Sequence, residues 1–173
     1  MNCEYCDIVE RKSKAQILHE DDTVIVAVKD LVFIPGQITV FSKKHYTILE
    51  TVPDAVLVSC ALMANKVSRA VFESLEPQGT NIVVQNGLGA GQKVPHFALE
   101  IIPRREGDGL NLQWQPKEAP EDELEIAAQQ LQEEVQKLGD LTEKKEEVKE
   151  QKPEAKPEKG KENYLLKSLR RMP

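Results

Sequence analysis

The chain has 173 residues, which is enough for one domain of ordinary size and some additional segments. It carries 23 basic and 29 acidic residues, a net charge of −6, so it lacks the basic excess of a nucleic-acid-binding protein. No apolar run approaches the roughly 20 residues of a membrane span, and no secretory signal is evident, so we expect a cytoplasmic protein.

Two of the three cysteines lie at the start of the chain, as Cys3 and Cys6. Their two-residue spacing lets both thiolates reach one ion from a tight turn. In a reducing compartment such a pair favours metal binding over a disulfide. The alternative is a pair of small buried apolar side chains. A redox motif is disfavoured because no strand leads into the pair.

Three short apolar segments then predict an antiparallel meander. They cover residues 15–18, 23–29 and 37–41, with turns at Asp21-Asp22 and Pro35-Gly36.

The next segment predicts a long helix over residues 51–75. Thr51 suits the N-cap, with Asp54 three residues later and Pro53 in the first turn. Apolar residues recur every three or four positions and predict a face that lies on the sheet: Val56, Cys60, Met63, Val67 and Val71.

A glycine-rich loop separates two further predicted strands, 82–84 and 96–102. Alternation directs His96, Ala98 and Glu100 to one face of the second strand, with the apolar residues between them pointing to the core. Glycines beside Gln92 can turn backbone N–H groups toward a phosphate. The alternative is a hairpin loop whose backbone needs positive φ.

The rest of the chain contains a short segment, 111–114, which is an edge strand or the start of a C-terminal arm. A second helix is predicted over 121–138. Residues 140–162, rich in Lys, Glu and Pro, predict a disordered linker. Residues 163–173 are apolar and basic, which is typical of a docking segment for this protein or for a partner; a frayed tail is the alternative.

The loop and strand together resemble a known signature. Ala90-Gly91-Gln92, Val94-Pro95-His96 and the ending Ile101-Ile102-Pro103-Arg104 are similar to the histidine triad (HIT) family of nucleotide hydrolases and transferases. The resemblance spans residues 1–115. It implies an α+β domain with a five-stranded, mainly antiparallel sheet and one long helix. Beyond this domain, the sequence pattern predicts a C-terminal helix segment over 116–139. The resemblance also implies a homodimer formed through helix and strand.

The zinc-carrying branch of that family holds its ion with a cysteine pair, a histidine after the third strand and the first histidine of the triad strand. The resemblance carries these ligands onto four residues: Cys3, Cys6, His45 and His96. A Cys₂His₂ set with no open position implies a structural zinc site.

The resemblance also assigns nucleotide-binding roles to the glycine loop, at Asn86, Gly91 and Gln92. Many family members bind ribose with an acidic residue early in the third-strand region. Here the spacing back from Pro35-Gly36 leads to Lys29, and Asp30 lies one residue later. Either the register shifts or this ribose contact is absent.

The residues at the catalytic positions depart from the family pattern. The family's middle histidine attacks phosphorus, but Ala98 occupies that position and Glu100 occupies the third. We therefore expect no catalytic residue of the usual kind, and a nucleotide-binding or partner-binding regulatory protein. The alternative is a HIT-family hydrolase or transferase with altered chemistry, in which Glu100 activates water. A third possibility is that Ala98 and Glu100 are engineered replacements.

Overall fold

The structure is a computed structural model that describes residues 3–112 and 114–137. The described residues divide into two units, with the boundary between Leu110 and Asn111. The predicted linker at 140–162 and the docking segment at 163–173 lie outside the described residues, so both stay predictions.

The first unit is built on one five-stranded sheet in which every neighbouring pair is antiparallel. Its spatial order is β1-β2-β3-β5-β4, with these strands: β1 (Ala15–Glu20), β2 (Val24–Lys29), β3 (Ile38–Ser42), β4 (Gly79–Val83) and β5 (Ala98–Arg104). The described residues also form three helices: α1 (Glu4–Val9), α2 (Asp54–Leu75) and α3 (Glu121–Lys137). The sheet and the helices together confirm the predicted α+β class. The central strands β2, β3 and β5 carry most of the buried residues.

Helix α2 covers one face of the sheet with the apolar face that the sequence predicted. Cys60, Ala64 and Val71 are buried there against β2, β3 and β5. By length and composition alone α2 could cross a membrane, but it is the core helix of this unit.

The predicted start of that helix at Thr51 was wrong. Pro53 is extended at the N-cap, with ψ 145°, and α2 begins at Asp54. Thr51 belongs to a preceding 3₁₀ turn, where its hydroxyl donates to the Ile48 carbonyl. The residue before a proline is biased away from helical geometry, which explains why the helix cannot begin earlier.

The opposite face of the sheet packs against α1, a short helix that the sequence analysis did not predict. Tyr5 and Ile8 are buried there with Ile25, Ala27 and Phe41. The Tyr5 and Phe41 rings stack with centroids 4.7 Å apart.

Strand β5 begins at Ala98, two residues later than predicted, because the Phe97 N–H donates to the Tyr46 carbonyl instead of a strand partner. The predicted alternation is confirmed. Phe97, Leu99 and Ile101 pack on the α2 side, and Ala98 packs on the α1 side.

The second unit contains α3, which agrees with the predicted helix over the described residues. Residues 111, 112 and 114 form no strand, so the edge-strand alternative for this segment was wrong.

We predict that Gly36→Ala lowers the free energy of unfolding by about 1–3 kcal/mol. Gly36 has φ +89°, and an added Cβ would lie 2.6 Å from Leu75 Cδ1. Gly79→Ala is the control, since nothing lies within 4 Å of its added Cβ. Urea unfolding of both variants checks this; equal stabilities would contradict it.

Candidate functional site

Four potential metal ligands meet at one end of the sheet on the α1 side. They come from three distant parts of the chain: Cys3 and Cys6 from α1, His45 from the segment after β3, and His96 from the segment before β5. Their ligand atoms all lie within 4.8 Å of one another. The structure thus brings together all four residues that the resemblance selected.

The distances between these atoms suit a single ion. Cys6 Sγ lies 3.2 Å from His45 Nδ1 and 3.7 Å from His96 Nδ1, and Cys3 Sγ lies 3.4 Å from His96 Nδ1. Bonds of about 2.0–2.3 Å in a tetrahedron separate sulfur and nitrogen ligands by roughly 3.5 Å. A metal ion therefore fits between the four side chains with little rearrangement.

The two imidazole rings are oriented for binding through Nδ1. His96 Nε2 lies 2.8 Å from the Ser42 carbonyl, which fixes Nε2 as the protonated nitrogen. Burial lowers the pKa of His96, which favours the neutral ring that a metal requires. His45 Nε2 lies 3.4 Å from Thr47 Oγ1. Such hydrogen bonds to the outer nitrogen orient metal-binding histidines.

The Cys6 thiol is not ionised at neutral pH without a cation. Burial and the neighbouring Cys3 thiol raise the pKa of Cys6 to about 11, so the thiol is protonated at neutral pH. A metal ion reverses this preference, because a coordinated thiol is deprotonated outright.

A buried polar cluster lies beside the four ligands. The Glu100 carboxylate accepts hydrogen bonds from Gln37 Nε2 at 2.7 Å, Thr39 Oγ1 at 2.8 Å, the Tyr5 hydroxyl at 3.2 Å and Lys29 Nζ at 3.3 Å. Lys29 Nζ also donates to the Tyr5 hydroxyl at 2.8 Å. These five residues, called here the Glu100 cluster, surround both carboxylate oxygens with donors.

The sequence analysis found Glu100 and Lys29 but missed the other three members. The signal was present in β3, where Gln37 precedes the strand and Thr39 interrupts an apolar run. Thr39 lies directly opposite Glu100 in the β3–β5 register, so its side chain shares a face with the carboxylate. Tyr5 gave no such signal because α1 is placed by tertiary packing.

All members of the Glu100 cluster except Thr39 line one wall of a cavity of about 290 Å³. Ala98 lies on this wall between His96 and Glu100, and its side chain is a methyl group. The mouth includes Leu31 and Phe33, which are 85% and 53% exposed. Lys29 and Lys93 supply the positive charge of the lining.

Asp30 is exposed on the turn after β2, and Lys29 is the residue that faces the cavity. Of these two positions, Lys29 is the one that contributes to the cavity lining.

The side chains of Gln92 and Asn86 hold the glycine loop in place. Gln92 accepts from the Gly87 N–H at 2.7 Å and donates to the Thr47 and Val94 carbonyls at 2.7 and 3.0 Å. Asn86 accepts from the Leu49 N–H at 2.9 Å and donates to a neighbouring glutamate.

Gly91 ends the loop's 3₁₀ turn at φ 82°, where a glycine is favoured. Asn86, Gly91 and Gln92 are therefore loop-building residues in this structure. Their contacts with a nucleotide stay a prediction.

Comparisons with a family model and with known proteins all lead to one domain family. The model of the HIT domain matches residues 10–107. Over 107 residues the chain is 36% identical to a HIT-like protein of Methanocaldococcus jannaschii, covering 62% of this chain and 82% of the relative. Over 109 residues it is 30% identical to Adenylylsulfatase HINT3 of Arabidopsis thaliana, covering 63% of this chain. The match spans about half of the plant protein, 55% of its length.

Solved structures agree with this. A zinc-bound histidine triad family protein from Mycobacterium smegmatis superposes with a TM-score of 0.60 at 29% identity, covering 78% of this chain and 98% of the other. A HIT family member from Bacillus subtilis gives a TM-score of 0.68 at 28% identity, covering 76% and 96%.

We predict that Thr39→Val lowers the free energy of unfolding by about 1–3 kcal/mol, because a buried carboxylate loses a donor. Thr39→Ser keeps the hydroxyl and is the matched control. Chemical denaturation at neutral pH measures both variants. A Val variant as stable as the Ser variant would show that the carboxylate does not depend on this bond.

Proposed function

The chain belongs to the HIT domain family, and from this we propose that it is a zinc-containing member that binds a nucleotide without nucleotidyl-His catalysis. It acts in this proposal as a regulatory binding protein. The observation that carries the proposal is Ala98, a methyl group on the cavity wall where the resemblance calls for the attacking ring.

Two polar side chains that flank Ala98 in β5 and line the cavity are already engaged by partners. His96 directs Nδ1 toward the two thiols and Nε2 toward a carbonyl, so neither nitrogen is available for covalent attack on phosphorus. The Glu100 carboxylate already accepts four hydrogen bonds, so donors occupy both of its oxygens. The altered-hydrolase alternative is therefore less well supported.

Zinc is the ion that best suits the donor set. Two thiolates and two imidazoles match tetrahedral structural zinc sites, in which all four positions belong to the protein. The zinc-bound relative from M. smegmatis supports the same choice. The ion would supply structural stability here, since no position is open for a substrate or water.

The nucleotide fits the character of the cavity. Its volume lies at the lower end of the range for small-molecule sites, about 300–1,000 Å³. In this proposal Leu31 and Phe33 contact the base, and the ammonium groups of Lys29 and Lys93 contact the anionic part. In this proposal the phosphate meets backbone N–H groups of the glycine loop other than those of Gly87, Ala90, Gly91 and Gln92, which already donate within the protein.

We also propose a homodimer through α2 and the edge strand β4. Val58, Leu62 and Ile82 are each about half exposed there, at 55%, 59% and 48%. Ile82 lies opposite Ile101 in the register, so it points to the α2 side of the sheet. The apolar-basic segment 163–173 is proposed, on its sequence alone, to dock onto this protein or a partner.

We predict that the purified protein holds about one zinc ion per chain and that chelation lowers its Tm. Cys6→Ser should lose the ion, whereas Cys60→Ala should keep it, because Cys60 lies on α2 and is buried against the sheet, away from the site.

Zinc binding should release about two protons, one per thiol, so the affinity for zinc weakens as pH falls. Elemental analysis and calorimetry in buffers of different ionisation enthalpy measure these quantities; a metal-free, equally stable protein would sink the zinc assignment.

We predict that AMP binds without any turnover of nucleotide substrates. Saturation at about 100 times Kd should stabilise the protein by about 2.7 kcal/mol. Nucleoside phosphoramidates, dinucleoside polyphosphates, nucleotidyl sugars and adenosine phosphosulfate, suggested by the plant relative, should release no mononucleotide above the Glu100→Gln level. Chromatography measures the released mononucleotide, and intact-mass measurement detects a nucleotide adduct on the protein. A trapped nucleotide adduct, or turnover lost in Glu100→Gln, would favour the enzyme.

A further inference from the structure

Tyr5 lies between the two thiol ligands in the chain and also belongs to the cavity wall. Cys3 and Cys6 flank it on α1, and its ring is 4% exposed. Its hydroxyl donates to Glu100 and accepts from Lys29 Nζ. The six-residue helix and its N-cap, Cys3, therefore carry half of the potential metal ligands together with a side chain that lines the cavity.

Helix α1 limits the access of solvent to the Lys29 side chain. Its side chain is 13% exposed, and Nζ lies 4.8 Å from the centre of the Tyr5 ring. Two of its three N–H donors are directed to Tyr5 and Glu100. If α1 left the sheet, the amine would lose its cover and one partner, while Glu100 would keep Gln37 and Thr39.

The other contacts of α1 are few. A helix of six residues is too short to be stable by itself, because nucleation fixes several residues for each hydrogen bond gained. Only Tyr5 and Ile8 of α1 are buried among apolar residues. Val9 and the two cysteines add partly buried and buried apolar contacts. The thiols also contact His45 and His96, and without a cation these are weak sulfur contacts.

We propose that Tyr5 is a positioning residue through which metal loading sets the structure of the ligand cavity. With the ion bound, α1 is fixed and Tyr5 holds Lys29 against Glu100. Without it, α1 releases, the cavity loses that wall and the Lys29 amine opens to solvent. By linkage, a ligand that needs the ordered wall binds the metal-loaded protein more tightly and strengthens metal binding in return. The inference rests on the zinc site proposed above and is independent of nucleotide binding.

Lysine acetylation of the full chain tests this without any ligand. The zinc-loaded and chelated proteins are treated with an acetylating reagent at one pH, and rates at single lysines are read by peptide mass spectrometry. We expect the Lys29 rate to rise about tenfold or more on zinc removal, as for local release of a small structural unit. Lys66, exposed on α2, is the internal control and should not change.

A Tyr5→Ala variant tests whether the Tyr5 side chain, and not the ion alone, protects Lys29. It should still bind zinc with the same stoichiometry, but Lys29 should react quickly in both the loaded and chelated states. Tyr5→Phe, which keeps the ring and loses the hydroxyl, should retain most of the zinc-dependent protection.

Amide hydrogen exchange of β2, β3 and β5 is recorded in parallel. Protection of these strands should persist after chelation. Loss of protection across the sheet together with Lys29 exposure would mean global unfolding and would overturn the inference. Bound zinc with an unchanged Lys29 rate would overturn the coupling alone, and absence of zinc binding would overturn the zinc proposal as well.

Discussion

The convergence of two thiols and two imidazoles on one point is the constraint on which this structure depends. The four donors come from positions 3, 6, 45 and 96, and their ligand atoms lie within 4.8 Å of one another. Their approach joins α1 to the segments that flank β3 and β5, at the end of the sheet that also carries the cavity. A bound cation would stabilise the thiolate of Cys6, whose pKa is raised in this environment.

The Glu100 cluster changes what this face of the sheet can do. A buried carboxylate with four donors, one of them the Lys29 ammonium at 3.3 Å, is an arrangement that holds charge in place. Desolvation offsets much of the attraction in a buried ion pair, so its contribution to net stability is small. Removal of one partner is costly, however, because the other charge is left unpaired. Single substitutions in the cluster are therefore expected to destabilise the fold.

The glycine loop is held by side chains in a similar way. Gln92 and Asn86 use their amide groups to attach the loop to residues 47–50, so the loop is positioned before any ligand arrives. Pre-organisation of this kind lowers the entropy lost on binding. The pre-organised loop is thus one of the features on which the proposal of nucleotide binding rests.

The sequence by itself determined the five strands, the long helix and the family, because periodicity and turn residues are local and the motif is compact. It also selected the four metal ligands, through the resemblance. Only the tertiary structure decided the rest. The start of α2 moved from Thr51 to Asp54 because Pro53 is extended. Helix α1, and with it Tyr5, is placed by packing between segments more than ninety positions apart in the chain, as in the bond from Tyr5 to Glu100. Such a contact leaves no periodic trace in either segment, since it depends on how the sheet brings the segments together.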